Sequence, residues 1–440
     1  MRNPIARSRR FRTGDTFDRV TRPPGPLHRS GAAVVACAIG LAAGCARNAD
    51  ATMLTVATLG DPGPTLQLSL RQAVAMSGSG DTIDFTPGLE GTIMLLHGEI
   101  AITHALTISG PGANVISVVA DVKSRIFDIN NSASLTPFDV AIGGLTLTGG
   151  SVSGDNGGAI LSSGVNLTID HCVIAGNSAS GAGGGLAING HNFTIVSTLV
   201  SGNSADGNGG GLFAFNPYDG IASSSQVIES SSFVDNKSSG SGGAIALSLA
   251  LIPGPGGPPI GPAVINLTNV TLAGNTASST GGGIYANGGA GSVLTVAGST
   301  IVDNMASTGG GIDAGGTPTL IDTIVADNPV VALSGGDLAG TYTADYNLVK
   351  TPAFATLNGS HNIIGVDPQL GALGMNGGPT PTLLPVPKSP AIDAGDPAFT
   401  PPPDFDQRGL PRVVDGVIDI GAVERQAIED DVFRSGFESP

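Results

Sequence analysis

Two short motifs recur in phase through the middle of the chain, and this repetition constrains the fold more than any other feature. The first is a glycine pair or triplet followed by an aliphatic anchor. It occurs at Gly157-Gly158-Ala159-Ile160, Gly183-Gly184-Gly185-Leu186, Gly209-Gly210-Gly211-Leu212, Gly242-Gly243-Ala244-Ile245, Gly281-Gly282-Gly283-Ile284 and Gly309-Gly310-Gly311-Ile312. The second ends in asparagine, at Asn177, Asn203, Asn236, Asn275, Asn304 and Asn328. Each of the first four asparagines precedes the next anchor by nine residues, and Asn304 precedes Ile312 by eight. The anchors are spaced 26, 26, 33, 39 and 28 residues apart, so the base period is about 26.

Ahead of each asparagine lies a short alternating run, such as Leu167-Thr168-Ile169 or Leu294-Thr295-Val296. Such runs read as strands. Nothing between 140 and 330 carries an apolar period of 3.6. Short strands at a 26-residue period with Gly/Asn corners describe one coil of a right-handed parallel β-helix. The expected fold is therefore all-β, a single solenoid with a short N-terminal cap helix and a loop-rich C-terminal cap. In such a stack like side chains lie over like. The six aliphatic anchors should form one inward column, and the six asparagines a hydrogen-bonded structural ladder. The composition agrees. Glycine makes up 68 of 440 residues, about twice its ordinary share. Trp is absent, and a core of stacked small aliphatics needs none.

The coils are expected over 52–345, most regular over 145–330. Ser69-Leu70-Arg71-Gln72-Ala73-Val74-Ala75-Met76 is the best helical segment, with Leu70, Ala73 and Val74 on one face and Ser69 as N-cap. It would close the N-terminal end of the stack at 69–76. Two longer spacings mark loops projecting at 216–225 and at the proline-rich 249–263. Past 345 the repeat stops and proline becomes frequent, so 346–425 reads as the C-terminal cap and 426–440 as a tail. Arg408 and Arg412 are placed to pair there with Asp393, Asp396, Asp406 or Asp419.

The first 45 residues read as an address. An Arg-rich leader precedes the apolar run Gly31–Ala43, which is signal-peptide length and too short to span a bilayer. Ala42-Ala43-Gly44-Cys45 fits a lipoprotein box that would acylate Cys45, although Leu41 sits one place early. Ordinary cleavage near Ala49-Asp50-Ala51 is the alternative. No membrane span is expected beyond the signal, and export across a Gram-negative envelope to the surface or medium is. The leader holds eight Arg and two Asp, leaving 11 basic and 33 acidic residues in the body. A body so acidic repels nucleic acid. Cys172 is the lone cysteine beyond the leader, so no internal disulfide framework is available.

The pairing of Gly242-Gly243-Ala244-Ile245 with Phe233-Val234-Asp235-Asn236 resembles the repeats of bacterial polymorphic outer membrane proteins. The resemblance implies a surface β-helix with a role in adhesion. Ser389-Pro390-Ala391-Ile392-Asp393-Ala394-Gly395-Asp396, Asp406–Arg412 and Asp419–Glu424 resemble the choice-of-anchor Q group of bacterial surface proteins. Together these resemblances cover about 54–424. The terminal β-barrel of the first family is not expected here, and Asp430–Glu438 looks like a tail of some exported proteobacterial proteins. Neither resemblance carries a catalytic motif.

Parallel β-helices also degrade polysaccharides, so an enzyme is a second reading. A lyase needs a basic residue, and Lys237 is the only one between 126 and 349. A hydrolase needs clustered carboxylates. Asp235, Asp303 and Asp327 each precede a ladder asparagine and would be the catalytic candidates, but they lack companion motifs. They could also hold Ca²⁺ weakly through oxygen ligands, though no calcium nonapeptide repeat is present. His171-Cys172 would point to opposite faces of a strand, and no metal site is expected. The reading is a monomeric, non-enzymatic, exported β-helix without a cofactor, binding a protein or glycan at the surface. The alternatives are a lyase or hydrolase for polyanionic glycans and a structural spacer.

Overall fold

A computed structural model of the chain describes residues 51–426, except 63–65, 122, 132–135, 191, 216–223, 249–262, 289–292, 332–335 and 354. The leader with Cys45, most of the 216–225 and 249–263 loops, and the tail beyond 426 lie outside the described residues.

The chain winds into a right-handed parallel β-helix. One coil shows how the sequence builds it. Gly157 takes a left-handed φ of 71°, which glycine adopts without penalty. It turns the chain into the first-face strand Ile160–Ser163. The second-face strand Asn166–Asp170 and the third-face strand Val173–Ala175 follow, then a two-residue strand, Ser178–Ala179, after the ladder asparagine. The next coil repeats this from Leu186–Asn189. Pairing between coils is parallel throughout: the third faces stack into an 11-stranded sheet, and the short strands into a 5-stranded one.

Register places one coil's anchor on the next. Ile160 pairs with Leu186, then Leu212, Ile245, Ile284 and Ile312 follow in turn. The column extends upstream to Phe127 and Ile100 and downstream to Leu338, and no member is more than 2% exposed. Alternation does this, since one side chain in two points inward.

The glycine after the left-handed one has a different task. A Cβ on Gly243 would sit against the carbonyl oxygen of Gly282 and 2.6 Å from the Thr276 nitrogen, both backbone of the next coil. Only glycine permits that approach.

At the N-terminal end the helix Leu70–Met76 covers the first coils with Leu70, Ala73 and Val74 buried. Ser69 and Gln72 form a reciprocal capping box. Arg71 fastens the helix, with Nε and Nη2 on Asp61 at 2.6 and 2.9 Å and Nη1 on the Glu99 carbonyl at 2.8 Å.

The sequence repeat fades near 345, yet stacking continues: Leu348–Val349 pairs with Ile324–Val325 and then with Ile363–Ile364. The loop-rich region that follows covers the flank of the stack. It runs back along the outer side of the third face. Ser232 Oγ donates to the Pro381 carbonyl at 2.6 Å, Thr271 Oγ1 to Gln407 Oε1 at 2.6 Å, and the Ala422 amide to Thr300 Oγ1 at 3.0 Å. These hydroxyls stand in one outward column, Ser232–Thr271–Thr300. Within this strap Arg408 pairs with Asp406 at 3.0 Å. Arg412 donates to the Asp419 carbonyl at 3.1 Å and is only 1% exposed.

Candidate functional site

The corner that carries the six asparagines is a continuous buried ladder. The amide and Nδ2 of Asn203 both donate to Asn236 Oδ1, at 3.1 and 2.9 Å. Asn236 repeats this on Asn275, Asn275 on Asn304, and Asn304 on Asn328, all within 2.8–3.0 Å. Asn177 donates likewise to Asn203. The remaining Nδ2 proton reaches a carbonyl of the coil behind, as from Asn236 to Val200 at 2.9 Å. Every polar atom of such an amide is satisfied, which its burial requires. The bonds from one ladder residue to the next all run toward the C-terminal end. There the ladder stops on a carboxylate: Asp337 Oδ1 accepts from the amide and Nδ2 of Asn328, and Oδ2 accepts from the Thr351 amide. An acceptor-only group suits that place, where an amide would set a donor against a donor.

Asp235, Asp303 and Asp327 occupy the position just before the ladder residue, with φ of 54°, 57° and 55°. Gly176, Gly202 and Gly274 fill the same position in other coils at 65°, 61° and 71°. A left-handed corner accepts Gly, Asn or Asp, so the turn itself selects these residue types. Gly274 separates Asp235 from the other two. Asp303 and Asp327 are neighbours, and burial, then the like charge of Asp327, holds the Asp303 carboxyl above its ordinary range. Asp327 is engaged by Lys350 Nζ at 2.5 Å, which also holds Asp367 at 2.7 Å. The three aspartates thus do not converge on one point. Among the described residues no group of three His, Cys, Asp or Glu is placed to hold a metal ion.

A second buried ladder was missing from the sequence reading. Five residues before each ladder asparagine stands Cys172, Thr198, Ser231, Val270, Ser299 or Thr323. Cys172 N donates to Thr198 Oγ1 at 3.2 Å, Thr198 N to Ser231 Oγ at 3.1 Å, and Val270 N to Ser299 Oγ at 3.1 Å. The recurring hydroxyl at minus five was the available signal. Cys172 sits in a hydroxyl slot, 2% exposed, and burial pushes its thiol up to about 11. A maleimide should therefore label Cys172 only after denaturation; labelling of this residue in the native chain at the denatured rate would contradict its placement.

Among the described residues the histidines offer no triad. His361 Nδ1 meets both Ser360 Oγ at 2.9 Å and Asp345 Oδ1 at 3.0 Å. A relay needs the two partners on opposite ring nitrogens. Its ring stacks on Tyr346 with centroids 4.5 Å apart. His171 Nδ1 lies 2.6 Å from Asp170 at an exposed corner, while the neighbouring Cys172 is buried.

The outer side of the first face carries the most distinctive surface. Leu161, Ala187, Phe213, Ala246, Tyr285 and Asp313 form one outward column by register. Large and small alternate along it. Ala187 and Ala246 are only 2% and 1% exposed, while Leu161, Phe213 and Tyr285 are half-buried. The result is an apolar ridge with its small members sunk between large ones. Two residues further on each strand runs a second outward column, Ser163–Asn189–Phe215–Ser248–Asn287. The Phe213 and Phe215 rings lie 6.5 Å apart and nearly parallel, at 11°. Asp128 pairs with Leu161 at the upstream end. Burial raises the carboxyls of both Asp128 and Asp313. Three aromatics share this face: Phe213 and Tyr285 stand directly after an anchor and Phe215 two positions further on, which is the signal the sequence held.

A third outward line is polar and exposed: Asn166 Nδ2 donates to Asp139 Oδ1 at 2.7 Å, and Asn192 Nδ2 to Asn166 Oδ1 at 3.2 Å.

Residues 230–248 match the Chlamydia polymorphic membrane protein repeat. The match runs from the Ser230 corner through Asn236 to the Gly242-Gly243-Ala244-Ile245 anchor. No curated protein matches the chain. Among solved structures, the crystal structure of pectate lyase Pel9A aligns with 86% of this chain and 97% of that chain, at 15% identity and a TM-score of 0.40. Among the described residues no helix is long and apolar enough to cross a membrane. The chain is thus a parallel β-helix carrying a polymorphic membrane protein-type repeat.

Proposed function

We propose that this β-helix is exported to the surface of a Gram-negative cell and works there by binding, with the outer side of its first face as the contact surface. The observation that carries the reading is the ridge Leu161–Phe213–Tyr285 with its sunken alanines. A solenoid needs no large apolar residue on an outward position, and half-buried apolar groups gathered in one outward line mark a contact site. The repeat at 230–248 supports the surface location, since the family it describes is one of membrane proteins. The corner aspartates support binding over cleavage, because their residue type follows from backbone geometry.

The test uses whole cells that express the full chain. Protease added outside should remove it, and adherence of these cells to host or abiotic surfaces should fall when Phe213 and Tyr285 are both changed to Ala. Adherence equal to wild type in that variant would remove the ridge from the reading. Turnover of pectate or alginate that is lost on changing Asp235 or Asp303 would replace binding with catalysis.

A further inference from the structure

We infer that the ridge takes a neutral glycan chain, laid along the helix axis across successive coils; this rests on the binding reading above and names the ligand class. Coils rise about 4.8 Å each, so Phe213 and Tyr285, two coils apart, stand about 9.6 Å apart along the axis. That is close to the repeat of an extended disaccharide, so consecutive units of one chain can meet successive rings. The C–H-bearing faces of a pyranose carry partial positive charge and settle on the negative face of an aromatic ring. The Phe213 and Phe215 rings, stacked nearly parallel with centroids 6.5 Å apart, add aromatic surface beside the ridge. On either side of Phe215 the neighbouring strands present Asn189 and Ser248, and Asn287 follows one coil further. Amides and hydroxyls of that kind exchange hydrogen bonds with sugar hydroxyls.

Charge decides which glycan. The column runs from Asp128 to Asp313, and the sole basic residue between 126 and 349, Lys237, lies on the two-residue strand Lys237–Ser238 of another sheet. Arg125 acts on Asp128 at the upstream end but is already held by Glu99 and Asp155, so a uronate chain would meet repulsion with no cation left over to offset it. Size decides against a folded protein partner. From Leu161 to Tyr285 the ridge with its flanking column is about 19 Å long and two side chains wide, well short of the ~800 Å² per partner of a stable protein complex.

Equilibrium binding of cellohexaose, mannohexaose and hexagalacturonate to the full chain tests this. At least one neutral hexasaccharide should bind, with an affinity insensitive to salt. Phe213→Ala and Tyr285→Ala should each weaken it about tenfold, while Phe213→Tyr should stay near wild type. Both positions are outward, so all variants should melt near the wild-type temperature, which separates lost contact from lost fold. Binding of hexagalacturonate more tightly than either neutral chain, failure of both neutral chains to bind, or wild-type affinity in both alanine variants would each overturn the inference. If neither neutral chain binds but adherence still depends on Phe213 and Tyr285, the surface-binding reading stands and the glycan assignment alone falls.

Discussion

Gly243→Ala should destabilise the stack by roughly 3 kcal/mol or more, far beyond the usual effect of adding one methyl group. The new Cβ would meet the Gly282 carbonyl and the Thr276 backbone of the following coil. Neither is a side chain that can swing aside. Relief requires the two coils to separate, and each coil is held by its neighbours alone. The loss therefore spreads to the hydrogen bonds on both sides of the seam, including those from Gly243 N to the Gly281 carbonyl and from Ala244 N to that of Gly283. The adjacent residue supplies the control. Ala244 is fully buried in a slot that other coils fill with glycine, such as Gly185 and Gly283, so Ala244→Gly should cost only about 1 kcal/mol. Urea unfolding of both variants measures the difference. Equal midpoints would show that the seam is slack.

Asn236→Leu should cost about 3–5 kcal/mol. The substitution removes the acceptor shared by the Asn203 amide and Nδ2, and the donors to Val200 O and Asn275 Oδ1. Water cannot reach these groups, because Asn203 and Asn275 are fully buried. Asn166→Ala on the exposed line should stay within about 1 kcal/mol, since water replaces what is lost. Asn236→Asp adds a dependence on pH. Its carboxylate could accept from Asn203 but would face Val200 O and Asn275 Oδ1 with no proton to give. That raises its folded-state pKa above the unfolded value of about 3.9. The penalty should then grow as pH rises through that value and level off above the folded pKa. Chemical denaturation at about pH 4 and pH 7 reads this out; a penalty that shrinks toward neutral pH would reject the ladder geometry. The native aspartate at 337 escapes the conflict because it ends the ladder, with Thr351 N as donor on its far side.

The repeat fold was legible because each coil solves the same packing problem with the same residues. A left-handed corner calls for glycine, a seam admits nothing larger, and a column of anchors must be aliphatic. Those needs leave a period in the chain that Ile160 to Ile312 display openly. The second ladder was harder to read. Its members Cys172, Thr198, Ser231, Ser299 and Thr323 share a role without sharing an identity, since any short side chain able to accept a hydrogen bond will serve. The ridge was harder still. Phe213 and Tyr285 are 72 positions apart in the chain and become neighbours only through a register that insertions of unequal length obscure.

Amino-acid order alone determined the architecture: parallel coils, the inward column and the helix at the N-terminal end. All three follow from local turn chemistry and alternation, repeated often enough to be unambiguous. Tertiary structure decided what faces outward and what covers it. Asp235 was drawn away from Asp303 and Asp327 by Gly274, three dispersed aromatics were gathered on one face, and the segment after Ile364 was laid along the flank on Ser232, Thr271 and Thr300. Outward positions in a β-helix carry no packing constraint of their own. Their grouping depends on which coil lies over which, and only the assembled stack sets that.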